Sequence, residues 1–289
     1  MANENFETDE ALTAKLAAVL ETWPLYRALA YTGAVTVKVL PENLSLHCEN
    51  CKKERYWETD VSSYSDHKVG FANRQYTCRN CGESRVTYYF YWGKSNSVTL
   101  LFFKVGQWPE LEETVPETLK NALSAEDLKT YRNALRLRNF NLGIGAVAYV
   151  RRVVENRMND MLDVLHEAAR AHNMPAELLA KHEGIKKDKR FSVKVDYAGD
   201  LLPANLRPSG HPNPIAVLHE LTSEGLHSKS DEQCVDIFDE CRQTFEYVFG
   251  KMRIEAEEAV AFVKGIAKLS EKRAKAVSDP KPAGKTSSS

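Results

Sequence analysis

Hydrophobic residues recur along this chain with two different periods, and the change of period divides it. Over residues 35–107 the period is two. VTVKVL (35–40) alternates, and Val86, Tyr88, Phe90 and Trp92 alternate with Arg85, Thr87, Tyr89 and Tyr91. A strand sends successive side chains to opposite faces, so these segments predict β structure. GKSN (93–96) then turns the chain into SVTLLFFKV, which predicts a hairpin.

Elsewhere the period is that of a helix. Residues 1–34 predict a helical segment, with Thr8, Asp9 and Glu10 at its start and Leu12, Leu16, Ala17 and Leu20 on one face. Trp23-Pro24 interrupts it, and Gly33 ends the stretch beyond the break. Residues 108–269 predict a helical bundle. Pro116 opens a short helix and Ser124 caps the next. In the run from Ile144 to His172, Val147, Val150, Val154, Met158, Met161 and Leu165 recur every three or four residues, as one buried stripe requires. A Lys- and Pro-rich loop is expected over 183–213. Asn213-Pro214 then starts a helix that Gly225 is placed to end. Ser230 to Gln233 reads as a capping box, followed by a stripe of Cys234, Ile237, Phe238, Cys241, Phe245, Val248 and Met252. Residues 270–289 are poor in apolar side chains and are expected to be a disordered tail.

Cysteine placement adds chemistry to the β region. Cys48 and Cys51 form one Cys-x-x-Cys pair, Cys78 and Cys81 another. A two-residue spacer lets a tight turn aim both sulfurs at one point, and two such turns complete the tetrahedral thiolate shell that zinc accepts. Gly82 supplies the backbone freedom the second turn needs. The segment between the pairs exceeds the usual ribbon spacing, so RYWETDVSSYSDHKVGFANRQY is expected to form an insert hairpin. Four cysteines leave a structural Zn2+ no open position, and neighbouring His47 and His67 are expected to stand aside. Cys234 and Cys241 read as core. The resulting fold class is α+β, a small β zinc ribbon followed by an α-helical bundle.

Composition narrows the rest. The 289 residues carry 39 Lys+Arg and 40 Asp+Glu, a formal charge of −1, so no whole-molecule pull on nucleic acid operates. Residues 35–105 hold ten basic and seven acidic side chains, and 131–157 hold Arg132, Arg136, Arg138, Arg151, Arg152 and Arg157 against Glu155 alone. Lys186, Lys187, Lys189 and Arg190 form a second cluster. The longest apolar run, VTLLFF, is too short to cross a bilayer, and the polar start of the chain is unlike a signal peptide. Free-thiol chemistry of this kind fits a cytoplasmic protein. The aromatic hairpin has two readings. Its rings pack on the helical part, or Tyr89 and Tyr91, flanked by Arg85 and Lys94, stack unpaired bases. Arg132, Arg136 and Arg138 belong to the same nucleic-acid-binding set.

LGIGAVAYVRRVVEN (142–156) and HPNPIAVLHELTSEGLHSKSDEQC (211–234), preceded by the cysteine ribbon, resemble a group of bacterial proteins of uncharacterised function. These have an N-terminal zinc ribbon and a C-terminal helical domain close to domain of unknown function 4145, which is similar to the HEPN fold. That resemblance implies a HEPN-like bundle and a homodimer. Active HEPN proteins are metal-independent ribonucleases with an Arg-x4–6-His motif. Here the histidine is His227, and the arginine positions hold Thr222, Leu221 and Glu220, so Arg151 or Arg152, with Glu155, would complete a catalytic set from a neighbouring helix. Arg151 and Glu155 are spaced for a helical ion pair, with Glu220 or Glu224 as a further partner.

The expected function is that of a non-enzymatic binding or adaptor protein recognising RNA, DNA or a protein partner in a phage-defence or mobile-element setting, with no membrane role. Two alternatives stand beside it: a ribonuclease built around His227, and a sensor or assembly subunit that touches no nucleic acid. Gly143-Ile-Gly145 lacks a preceding strand and a third glycine, so it reads as close helix packing rather than a nucleotide loop.

Overall fold

Six antiparallel strands form one curled sheet in the order β1-β6-β5-β4-β3-β2. They are β1 (Leu29–Thr32), β2 (Asn43–Cys48), β3 (Lys53–Glu58), β4 (Gly70–Cys78), β5 (Arg85–Lys94) and β6 (Thr99–Trp108). With ten α-helices among the described residues, the architecture of this computed structural model is α+β. The structure describes residues 9–32, 40–59, 70–94, 99–111, 113–202 and 213–278. It divides into two compact units, one made of 1–114, 132–147 and 228–238, the other of 115–131, 148–227 and 239–289.

In the first unit, helix α1 (Asp9–Glu21) lays Leu12, Leu16, Val19 and Leu20, all fully buried, on one face of the sheet. That face presents Leu44, Trp57, Tyr76, Val86, Tyr88, Phe90 and Phe102. The alternation of β5 decides which aromatics go inside: Tyr88 and Phe90 are buried, and Tyr89 is not. Buried Lys104 joins the same core. Its ammonium donates to the Leu20 carbonyl at 2.9 Å, satisfying a helix-end acceptor that α1 cannot pair itself. Burial, with Arg138 nearby, pushes its pKa down to about 7. Lys104 faces inward by regular alternation with Phe102, and β6 carries a bulge directly after it. Tyr89 pairs with Gly106 and Phe90 with Lys104, which leaves Val105 as the extra residue.

The helix expected to run towards residue 34 stops at Glu21, and 29–32 form strand β1 instead. After Trp23-Pro24 breaks the helix, Leu29 to Thr32 pair with Phe102 to Thr99, so a partner some seventy residues away decides the local structure. The strand expected over 35–40 lies largely outside the described residues. Strands β5 and β6 form the expected hairpin; its turn, 95–98, is likewise outside them. The insert supplies β3 and β4, which pair at Trp57↔Cys78 and Glu58↔Thr77.

The second unit is helical, and of the helices that follow, residues 132–147 and 228–238 count with the first. Helix α2 (Glu117–Ala122) follows Pro116, and α3 (Ala125–Asn139) is capped by Ser124, whose Oγ accepts from the Asp127 amide at 3.1 Å. Helix α4 (Gly143–Ala171) buries Val147, Val150, Val154, Met158, Met161 and Leu165 together with Val153 and Leu162. Helix α5 (Ala176–Leu179) is one turn long. Where a loop was expected over 183–213, α6 (His182–Lys187) and α7 (Phe191–Leu201) form, and 203–212 lie outside the described residues. Val195, Tyr197, Ala198 and Leu201 drive α7 into the core. The lysines that suggested a loop bind α4: Lys186 pairs with Asp163, and Lys194 donates to Asn159 at 2.8 Å.

Helix α8 (Pro214–Ser228) starts where expected, with Asn213 Oδ1 accepting from the Ile215 amide. It does not end at Gly225. The stop comes three residues later, where Ser230 and Gln233 exchange hydrogen bonds to open α9 (Asp231–Glu246). A π-helical turn (Tyr247–Met252) follows, and Gly250 there packs against Thr118 so closely that a Cβ would lie 3.0 Å from its Oγ1. Helix α10 (Arg253–Ser278) then continues through 270–278, where a disordered tail was expected; 279–289 lie outside the described residues. No helix among the described residues is long and apolar enough to cross a membrane.

Candidate functional site

Two tight turns build the cysteine cluster. The β2–β3 turn carries Cys48 and Cys51, the β4–β5 turn carries Cys78 and Cys81, and the Trp57↔Cys78 pairing brings the turns together. The residue after each pair has positive φ: 54° at Lys52 and 69° at Gly82. The Gly82 amide returns to the Cys78 carbonyl at 2.9 Å, and the Cys78 amide donates to Ser84 O at 3.0 Å. All four sulfurs lie within 4.8 Å of one another, with Cys48–Cys81 at 3.8 Å and Cys51–Cys78 at 4.0 Å. These residues can hold a metal ion.

Polar groups surround the sulfurs. Ser84 Oγ lies 3.2 Å from Cys48 Sγ and 3.6 Å from Cys81 Sγ, and Asn80 Nδ2 donates to Cys51 Sγ at 3.2 Å. Backbone amides of Ser84 and Glu83 pull the Cys81 thiol down to about 6. Burial raises Cys48, but hydrogen bonds from Ser84 and Cys51 outweigh it and lower the thiol. Burial dominates at Cys78 and raises it. A set of donors that favours thiolate on part of the cluster suits metal ligation. His47 is half-exposed beside Glu49 and Glu54, outside the cluster, and His67 lies outside the described residues. Cys234 and Cys241 are buried in the helical stripe, and burial pushes Cys241 up to about 12.

The second feature is the sheet face turned away from α1. Register places Phe71, Tyr91 and Phe103 side by side on three adjacent strands, with ring centroids 5.2 and 5.3 Å apart. The next row holds Asn73, Tyr89 and Gly106, and the next Gln75, Thr87 and Trp108. Phe71 is 76% exposed, Trp108 67% and Tyr89 45%. Thus one aromatic row of the hairpin is core and the other is open. Phe71, Phe103 and Trp108 were missed because only strand register puts the first two beside Tyr91 and the third beside Thr87 on the same face. Arg85 is exposed at the end of β5, while the side chain of Lys94 lies outside the described atoms.

Several of the arginines have partners. Arg136 pairs with Glu113, and Arg138 donates to the Thr22 carbonyl at 3.1 Å; Arg132 is exposed. Arg157 pairs with Asp160 at 2.6 Å and donates to the Ala122 carbonyl. Arg190 pairs with Asp188, and Lys187 and Lys189 are exposed.

Around the expected catalytic set, Arg151 pairs with Glu155 at 2.8 Å as its spacing requires. Its other nitrogen donates to Ser223 Oγ at 2.9 Å, not to Glu220, and Arg152 points into solvent. His219 sits against the Phe191 ring and is lowered by burial and by Arg151. Ser223 escaped the sequence reading; its i, i+4 spacing from His219 was the available signal. His227 occupies the last turn of α8 rather than a linker, and its side chain lies outside the described atoms. Gly143 and Gly145 do serve close packing, since a Cβ on Gly143 would overlap the Asp231 carbonyl and the Val235 amide.

Comparison with protein-family models, with curated proteins and with solved structures returns no match.

Proposed function

We propose that the chain is a non-catalytic binding protein whose sheet, held together by a structural zinc, takes single-stranded nucleic acid on its open aromatic face. One observation carries this: Phe71, Tyr91 and Phe103 form a ring ladder with Tyr89 and Trp108 exposed beside it. Exposed aromatic area of this kind is costly in water unless something stacks on it, and nucleobases do so at about 1–3 kcal/mol each. Asn73, Gln75 and Thr87 on the same face offer donors and acceptors to base edges. Arg85 offers a phosphate contact.

Zinc is supported by the sulfur spacing. A tetrahedral shell with metal–sulfur bonds of about 2.3 Å separates its sulfurs by about 3.8 Å, close to the 3.8 and 4.0 Å seen. Bound there, the ion would tie the β2–β3 turn to the β4–β5 turn and contribute folding free energy to the sheet.

A second reading is a HEPN-like ribonuclease, and one contact favours it. Arg151 reaches Ser223 on α8, four residues before His227, so an arginine from α4 lies one helical turn from that histidine along α8. The test of both readings is one gel series with metal-loaded protein and labelled single-stranded RNA, single-stranded DNA and duplex DNA at two salt concentrations. Binding of single strands over duplex, weakened about tenfold by Phe71→Ala or Tyr89→Ala, supports the stacking face. Cleavage lost in His227→Ala replaces it with the nuclease. Absence of both sends the aromatic face to a protein partner.

A further inference from the structure

Helix α10 begins buried and ends exposed. Ala256 is fully buried, yet every residue from Ala261 to Ala274 is exposed. An isolated helical stretch of that length is marginal in water, because nothing offsets the cost of ordering it. This one also exposes an apolar stripe. Phe262 is 69% exposed, Val263 39%, Ile266 48% and Leu269 63%, and with Ala259 they recur every three or four residues. Ala259 and Ile266 fall at one heptad position, Phe262 and Leu269 at the other, the spacing of a coiled-coil seam.

Charge along the helix chooses the occupant. The segment before the stripe carries Glu255, Glu257 and Glu258 against Arg253. From Lys264 onward it carries Lys264, Lys268, Lys272, Arg273 and Lys275 against Glu271. A second copy running the same way would set acidic half beside acidic half. Running the opposite way, it sets acidic half beside basic half, and the stripe meets itself.

We propose that α10 is a dimerisation helix that pairs antiparallel with α10 of a second copy of this chain. Centred on Gly265, which lies at a flanking position where the helices approach, the pairing brings Glu258 of each copy beside Lys272 of the other. Phe262 then packs on Ile266 of the other helix, and Ala259 on Leu269. The interface is isologous, one patch meeting itself about a two-fold axis. It is independent of the nucleic-acid reading, since it uses no residue of the sheet.

Sedimentation or light scattering of the metal-loaded full chain across the micromolar range tests it. Wild type is expected to dimerise as concentration rises. Ile266→Glu places a carboxylate in the seam of both copies and weakens the dimer by about a hundredfold or more. Glu258→Lys weakens it about tenfold by setting like charges together, and Glu258→Lys with Lys272→Glu restores it. Circular dichroism keeps loss of pairing distinct from loss of folding, because all three positions are solvent-exposed in the single chain. A wild-type monomer up to the hundred-micromolar range overturns the proposal. So does a dimer indifferent to Ile266→Glu, or a charge swap that fails to rescue.

Discussion

The two units solve the same problem, closing a core, by different means. The helical unit does it by area: α4 alone buries a continuous stripe from Val147 to Leu165. In the sheet unit the core cluster on the sheet draws its fully buried helical side chains from α1, and the far end of the sheet, at β2 and β3, is held to β4 by two residue pairs. That is where the four cysteines sit. A metal ion bound there would complete a core short of apolar cover, a task that the stripe of α4 performs by burial.

Removing the metal should break this comparison open most widely. Chelation, or Cys78→Ser, is expected to cost the sheet unit about 10 kcal/mol or more, enough to unfold it. Hydrogen exchange would show amides of β2 to β5 losing protection while α4 keeps its own. Equal loss in both would mean that the units are not separate in stability. Leu165→Ala should do the reverse. It empties a fully buried site and is expected to cost about 2–5 kcal/mol in the helical unit with no change in metal content.

Acid should separate the units more gently. His166 stacks on buried His182 with ring centroids 4.1 Å apart, and its ring pKa is lowered by burial and by that neighbour. The folded state therefore binds fewer protons than the unfolded one. Stability from neutral His166 is full above the free-imidazole value of about 6.5 and declines as pH falls below it towards the lowered folded-state value. His166→Phe should flatten that slope in denaturant titrations. Asp163 works lower. Burial raises its carboxyl, but hydrogen bonds and charge from Lys186 and His182 hold it below the usual carboxylate range, so its contribution is lost only in stronger acid. The smallest effect is at Lys52, a lysine with φ 54° at the position where the other turn has a glycine. Lys52→Gly should stabilise the sheet unit by about 1 kcal/mol or less, read as a shift in its unfolding midpoint at fixed metal.

What the sequence made legible was local. Cys-x-x-Cys turns, the cap at Ser124, the capping box at Ser230 and the α4 stripe are each written within a few residues, and each is present. What it hid depends on partners far along the chain. Leu29 to Thr32 become a strand only because β6 is there to pair with them, and Phe71 joins Tyr91 only through register. Lys186 and Lys194 read as loop until Asp163 and Asn159 on α4 receive them. The His166–His182 stack joins residues sixteen apart on different helices, with no motif to announce it.

The bulge at Val105 is, in genetic terms, a reading-frame device for the sheet. With it, Phe102 and Lys104 face the core while Gly106 and Trp108 face outward on the same strand. Loss of that single codon would bring Gly106 directly after Lys104, so the ladder to β5 would run unbroken and every side chain would keep its face. Loss of the Phe103 codon instead would put Val105 in the place of Lys104 and withdraw the ammonium from the end of α1. The bulge is the strand's spare letter, the place where a codon can be lost without exchanging core for surface.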